Sequence, residues 1–145
     1  MYIEQKEYLK IIQSLPISCV DIIIKNKNNE YLLVQRNSDP LKNHYFLVGG
    51  RVNLNETLLS AAKRKLNEEV GLNVDKFEFI GVYQDFFDRN SFGKCEIYHT
   101  ISLVFLINII GNEKIKLNKF STSYKWSKEL PKRFLENSYL LKEKL

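Results

Sequence analysis

Charged side chains of both signs crowd one stretch of this chain, GGRVNLNETLLSAAKRKLNEEVGL, from Gly49 to Leu72. Glu68 and Glu69 are adjacent, Arg64 and Lys65 stand one helical turn before them, and Glu56 falls between this group and the paired glycines Gly49 and Gly50. A loop with free backbone groups that runs into a carboxylate-bearing helix lets a hard cation bridge those oxygens to a diphosphate. Mg2+ suits that task, because it keeps waters and needs only one or two carboxylates beside phosphate oxygens. Glu68 and Glu69 alone would repel and raise each other's pKa, a cost that a bound divalent ion removes. Lys65 changes this picture: its ammonium can occupy the place of a further metal, which argues against attack on phosphorus by a water gathered among several ions. A surface helix laced with charge pairs accounts for Arg64 with Glu68 and Lys65 with Glu69 at i, i+4. It does not account for the glycine pair, Glu56 and Gly71 at their offsets.

The elements that must position these groups follow from periodicity. Leu59, Ala62, Leu66 and Val70 recur on one face of a helix expected from about Glu56 to Val70, and Gly71 ends it as a left-handed C-cap. ISCVDIIIKN, from Ile17 to Asn26, and EYLLVQR, from Glu30 to Arg36, are apolar and joined by KNN, a hairpin signal. A short helix is expected over residues 4–13, and a short apolar run, YFLV, leads into Gly49. KFEFIGVYQDFF and EIYHTISLVFLINII read as two long strands, with further short strands near Lys114 to Leu117 and Tyr124 to Trp126. ELPKRFLENSYLLKEKL reads as a closing helix with Pro131 in its first turn. Strands around one central helix make an α+β or α/β sandwich.

Composition bounds the function classes. The 145 residues, 44% hydrophobic, suffice for one domain with one core. No apolar run is long enough to span a bilayer and the first residues lack a secretory pattern, so cytoplasmic is the expected location, with no membrane partner. Cys19 and Cys95 have no metal-site spacing and are expected as buried thiols. A net charge of +5 suits an anionic ligand, but the lysines form no arm or stripe, so no nucleic-acid partner is expected.

Counting from Gly50, the glycine is followed by five residues, Glu56, seven residues, Arg64, then Lys65, Leu66, Asn67, Glu68, Glu69, Val70, Gly71 and Leu72. This resembles the Nudix box, with Lys65 where the box has a glutamate. Within that family the chain is similar to the GDP-mannose mannosyl hydrolases, a branch that also lacks this glutamate. The similarity extends through VDIIIKN with Asp21, EYLLVQR with Arg36, FLVGGRV with Arg51, GVYQDFFD, YHTISLVF with His99, YKW and NSYLL. The resemblance implies an α+β Nudix fold, a mixed β-sheet sandwiched between α-helices, formed by residues 1–145 as a single domain. It implies a homodimer with one Mg2+ on the Gly49 carbonyl and Glu69, with Glu68 beside them. The implied reaction is attack of water at the sugar's anomeric carbon, with inversion, on GDP-mannose or a related GDP sugar. Charge then collects on the diphosphate leaving group, where Arg36 and Arg51 would stabilise it by bidentate contact. Asp21 matches a position close to the family's active site. Tyr2, Ile3 and Tyr8 match positions that touch the nucleotide; packing in the core or a dimer accounts for them equally well.

The resemblance breaks at one loop. The family's third metal ligand, Gln, and its general base, His, align with Phe120 and Ser121, neither of which can do that work. Of the chain's two histidines, His99 lies mid-strand and His44 stands near the glycines. Three readings therefore remain open: a nucleotide-sugar hydrolase acting at C1, a domain that binds a nucleotide sugar without turnover, and a pyrophosphohydrolase of nucleoside diphosphates or capped RNA. Lys65 and the missing basic stripe count against the last.

Overall fold

The computed structural model describes residues 1–94, 96–140 and 145, so Cys95 lies outside the described residues. Its framework is one mixed sheet. A helix α1 (Gln5–Ser14) precedes β1 (Ile17–Lys25), followed by β2 (Tyr31–Arg36), β3 (Tyr45–Phe46), β4 (Val48–Arg51), α2 (Leu58–Val70), β5 (Glu78–Phe87), β6 (Tyr98–Asn108), β7 (Ser121–Ser127), α3 (Lys132–Glu136) and β8 (Ser138–Leu140). The order along the sheet is β3-β2-β1-β6-β5-β8, with β4 on β1 and β7 on β2.

Strand β1 is buried from Cys19 to Ile24, as a central strand covered on both faces requires, and Asp21 is the one charged residue in that buried run. It runs parallel to β6, from Ile17 opposite Thr100 to Lys25 opposite Asn108, and antiparallel to β4, with Asp21 opposite Gly49 and Val20 opposite Gly50. The expected hairpin forms, with Lys25 paired to Tyr31. Val20, Ile22 and Ile24 point to one face and meet Ala61, Ala62, Leu66 and Val70 of α2. On the other face Ile23, Leu33, Phe46 and Tyr83 surround Phe134 of α3, and Tyr8 and Ile12 of α1 cover Ile17, Cys19, Phe87 and Tyr98. The arrangement is the expected α+β sandwich.

Helix α2 starts at Thr57, whose hydroxyl oxygen accepts the Ser60 N–H, and stops at Gly71, which adopts φ 72° as expected. Leu59 departs from expectation: it is exposed, because the helix packs on the sheet only from Ala61 onward. The segment from Lys114 to Leu117 is not a strand. Its Lys116 N–H is spent on the Val70 carbonyl, closing the end of α2 instead of pairing with the sheet. The closing helix is also shorter than its sequence predicts. Only Lys132–Glu136 is helical, with Pro131 at the N-cap, and Ser138–Leu140 leaves the helix to pair antiparallel with the open edge of β5. Residues 141–144 of that expected helix lie outside the described residues. Among the described residues no helix is long and apolar enough to cross a membrane.

Candidate functional site

In the middle of β4, where it pairs with β1, Gly49 and Gly50 carry no side chains and stand opposite Asp21 and Val20. A Cβ on Gly49 would meet Asp21 Oδ1 on one side, and a Cβ on Gly50 would meet Lys65 Cε at 2.6 Å on the other. The glycines are therefore a packing requirement on both faces.

On the Asp21 side a cleft of about 140 Å³ opens, lined by Asp21, Arg36, Gly49, Gly50, Arg51 and, from neighbouring strands, Cys19, Tyr83, Tyr98, Thr100 and Ser102. The structure thus brings Arg36, at the end of β2, and Arg51, at the end of β4, to one opening. Each is aimed by a backbone carbonyl: Arg36 Nε donates to Pro40 O at 2.6 Å and Arg51 Nη2 to Met1 O at 2.6 Å. Burial pushes the Asp21 carboxyl up to about 7, a hydrogen bond with Ser102 opposes that rise, and the nearby Glu69 adds to it. Cys19, also buried, is pushed up to about 12 by that burial, which disfavours its thiolate at neutral pH.

The helix side carries the charges of the glycine–helix stretch. Arg64 donates from Nε to Glu56 Oε2 at 2.7 Å and from Nη2 to Glu56 Oε1 at 2.9 Å and to the Arg51 carbonyl at 2.9 Å. Glu56 also accepts the Asn53 N–H at 3.0 Å, so its carboxylate braces the loop that carries the glycines. These bonds, Arg64 first, hold its acid down to about 2. The two i, i+4 pairs form as expected: Arg64 Nη1 lies 3.3 Å from Glu68 Oε2 and Lys65 Nζ lies 3.1 Å from Glu69 Oε1. Lys65 Nζ is also 3.5 Å from Glu68 Oε2. Glu69 is buried, and its second oxygen accepts the Gly49 N–H at 3.2 Å. Desolvation raises its acid, with Lys65 as the main opposing influence and Arg36 a further one.

This donor set does not fit a divalent ion as it stands. Both Glu69 oxygens are engaged, one by an ammonium. An ion at the usual Mg–O distance of about 2.1 Å from Oε1 would stand within roughly 5 Å of Nζ, since the ammonium is 3.1 Å from that oxygen. Among the described residues no group of three or more His, Cys, Asp or Glu side chains is placed to hold a metal. The position expected for a third ligand holds Phe120, half exposed, with its ring centroid 5.8 Å from Lys65 Nζ.

The remaining candidates fall outside the cleft. Tyr8 is buried, its hydroxyl 3.2 Å from that of Tyr98 and its ring 4.9 Å under the Arg51 guanidinium, so core packing accounts for it. Ile3 packs on the same cluster, whereas Tyr2 is exposed. His44 is exposed and bonded to the Lys42 carbonyl; His99 stacks on Phe86 with centroids 4.1 Å apart. Neither lines the cleft. Sequence reasoning passed over Tyr98, Thr100 and Ser102, which form its floor. Their signal was present: in YHTIS every second residue carries a hydroxyl, a period that places all three on one strand face.

Comparison with known proteins bears on this arrangement. A model of the NUDIX domain family matches residues 16–128. An ADP-ribose pyrophosphatase of Methanocaldococcus jannaschii is 39% identical over 98 residues, covering 68% of this chain and 54% of the relative. The low-salt glycan biosynthesis protein Agl8 of Haloferax volcanii is 25% identical over 140 residues, covering 92% of this chain and 89% of that one. Among solved structures, a bifunctional NMN adenylyltransferase/ADP ribose pyrophosphatase of Francisella tularensis, complexed with AMP and a manganese ion, is 26% identical with a TM-score of 0.64. That alignment covers 84% of this chain and 36% of the Francisella chain. The chain thus spans about half the length of the first of these relatives. Nudix hydrolases in general use divalent metal ions.

Proposed function

The chain belongs to the NUDIX family, and from that premise we propose that it hydrolyses a nucleoside-diphosphate sugar, GDP-mannose or a related GDP sugar, at the C1–O bond. The observation that carries this reading is the convergence of Arg36 and Arg51 on one cleft with Asp21 and the bare glycine backbone. When water attacks C1, a new C1–O bond forms and the bond to the diphosphate breaks, with its electron pair passing to the leaving oxygen. Two guanidiniums at the cleft are suited to that developing charge, and a group prepared in advance costs no reorganisation as the bond breaks. Asp21, in the same cleft, is the residue this reading assigns to the proton lost by water. The cleft is smaller than the roughly 300–1,000 Å³ common for small-molecule sites, so one end of the substrate enters and the nucleoside extends over the open surface. A homodimer goes with this reading, as the resemblance implies.

A second reading is favoured by the ADP-ribose pyrophosphatase relative and by the contact of Glu69 with Gly49, with Glu68 next to it on the helix. In it the chain cleaves a diphosphate at phosphorus, and Gly49, Glu68 and Glu69 hold Mg2+ once Lys65 has swung away. One experiment separates the two. The protein is incubated in oxygen-18 water with GDP-mannose and, separately, with ADP-ribose. The first reading expects label in the free sugar; label in a phosphate supports the second, and no product from either compound sinks both as catalytic readings.

A further inference from the structure

The oddest residue of the site is also one of its best held. Lys65 stands where the family's box has a glutamate, yet its side chain is nearly buried and its ammonium lies between the carboxylates of Glu68 and Glu69. Its stem fills the space that Gly50 leaves open, since a Cβ there would come within 2.6 Å of Cε. Phe120 presents an aromatic face to the same ammonium at 5.8 Å. Two positions outside the helix, Gly50 and Phe120, and two on it, Glu68 and Glu69, therefore surround one amine.

We propose that Lys65 is the resident cation of this site, taking the place of a divalent metal, so that the chain binds the diphosphate of a nucleotide without one. This rests on the nucleotide reading above and goes beyond it by replacing the metal the family generally uses. The charge balance supports it. Glu56, Glu68 and Glu69 are matched by Arg64 and Lys65, which leaves one net negative charge; a glutamate at position 65 would leave three. A dication is drawn strongly to the second arrangement and weakly to the first. The protein's net charge of +5 already favours an anion, and Arg36, Arg51 and Lys65 give it fixed charges around the glycine strand. Lys65 stands outside the cleft lined by Arg36 and Arg51, on the helix side of Gly50, and a phosphate oxygen that reaches this side meets an ammonium that Glu69 holds in place.

Two measurements on the full chain test this. Calorimetric titration with GDP and with ADP-ribose, in EDTA and in millimolar Mg2+, should give affinities agreeing within about threefold, and Lys65→Met should bind at least about tenfold more weakly in EDTA. Lys65→Arg, which keeps the charge, should retain most of the affinity and guards against a folding defect. Separately, electron paramagnetic resonance of Mn2+ with no nucleotide present should show little binding by the parent protein and clear binding by Lys65→Glu. Nucleotide binding that disappears in EDTA and returns with Mg2+ would overturn the proposal, as would tight Mn2+ binding by the parent protein. If neither nucleotide binds in either buffer, the nucleotide reading fails, while the manganese spectra still decide what Lys65 replaces.

Discussion

Asp21 and Glu56 show opposite ways of holding a carboxyl. The folded Asp21 titrates at about 7 against an ordinary 3.8. Between those values the folded state keeps a proton that the unfolded chain releases, so this group's contribution to stability falls as pH rises through the window. Asp21→Asn should therefore be more stable than the parent at pH 8, with the gap closing toward pH 4, and should lose turnover; urea unfolding at both pH values checks it. An unchanged or lower urea midpoint at pH 8 would mean that Asp21 is not a strained buried acid. Glu56, held near 2 by Arg64, has the reverse sign: its stabilisation is present above about 4.5 and is lost as pH falls through 2. Glu56→Gln should lower stability at pH 7 and flatten the acid limb of a stability–pH curve. Of these residues, the charge pairs of α2 were legible because i, i+4 spacing fixes them locally. Phe120 against Lys65 was not, since that contact depends on how β7 lies along β2.

Among the elements, α2 carries its own start and stop, whereas β8 depends on a neighbour. Gly71 signalled the end of α2 in the sequence, and the left-handed turn there is a local property of glycine. Removing the other cap, in Thr57→Ala, should cost about 1 kcal/mol by thermal unfolding. No local pattern marks Ser138–Leu140 as a strand; its hydrogen bonds come from the free edge of β5, which exists only once the sheet has assembled. The segment before β7 was misread for the same kind of reason, with Lys116 recruited by the last turn of α2. Gly50 gives a sharper element-level prediction. In Gly50→Ala the new methyl meets the end of the Lys65 side chain, and φ 157° is a conformation that residues with a Cβ rarely adopt, so melting temperature and nucleotide affinity should both fall. An unchanged melting temperature would show that position 50 tolerates a side chain and that the glycine is not needed there.

At the scale of the molecule, strand residues that line the cleft are covered by a helix outside the span matched by the family model, which begins at residue 16. Helix α1 lays Tyr8 and Ile12 over Ile17, Cys19, Phe87 and Tyr98, and the segment before it sets the Met1 carbonyl against Arg51. Removing residues 1–14 should destabilise the chain by several kcal/mol, on the basis of about 1.5–3 kcal/mol for each large apolar side chain uncovered. Nucleotide affinity should fall with it, because Arg51 loses both the carbonyl that aims it and the ring beneath it. Unfolding and titration of the shortened chain check both, and unchanged affinity would free Arg51 from its assigned part. The overall sandwich was legible because strand and helix periods are local signals. That Arg36 and Arg51 share a cleft was expected only from the family resemblance, because no local pattern joins them, and Tyr98, Thr100 and Ser102, which line the cleft with them, depend on the sheet order.

That sheet order also sets a timetable. The central strand β1 is made early, yet its longest partner, β6, lies most of a chain away, with Ile17 waiting for Thr100. While the ribosome is still building the intervening segments, β1 can pair only with β2 and β4, and its other edge stays open with a row of isoleucines on either side. Closing so distant a parallel pair is slow, and an unpaired apolar edge is the part of a nascent chain most prone to stick to another copy. Yield in a cell should thus depend on how fast synthesis passes Asn108, independently of how stable the finished protein is.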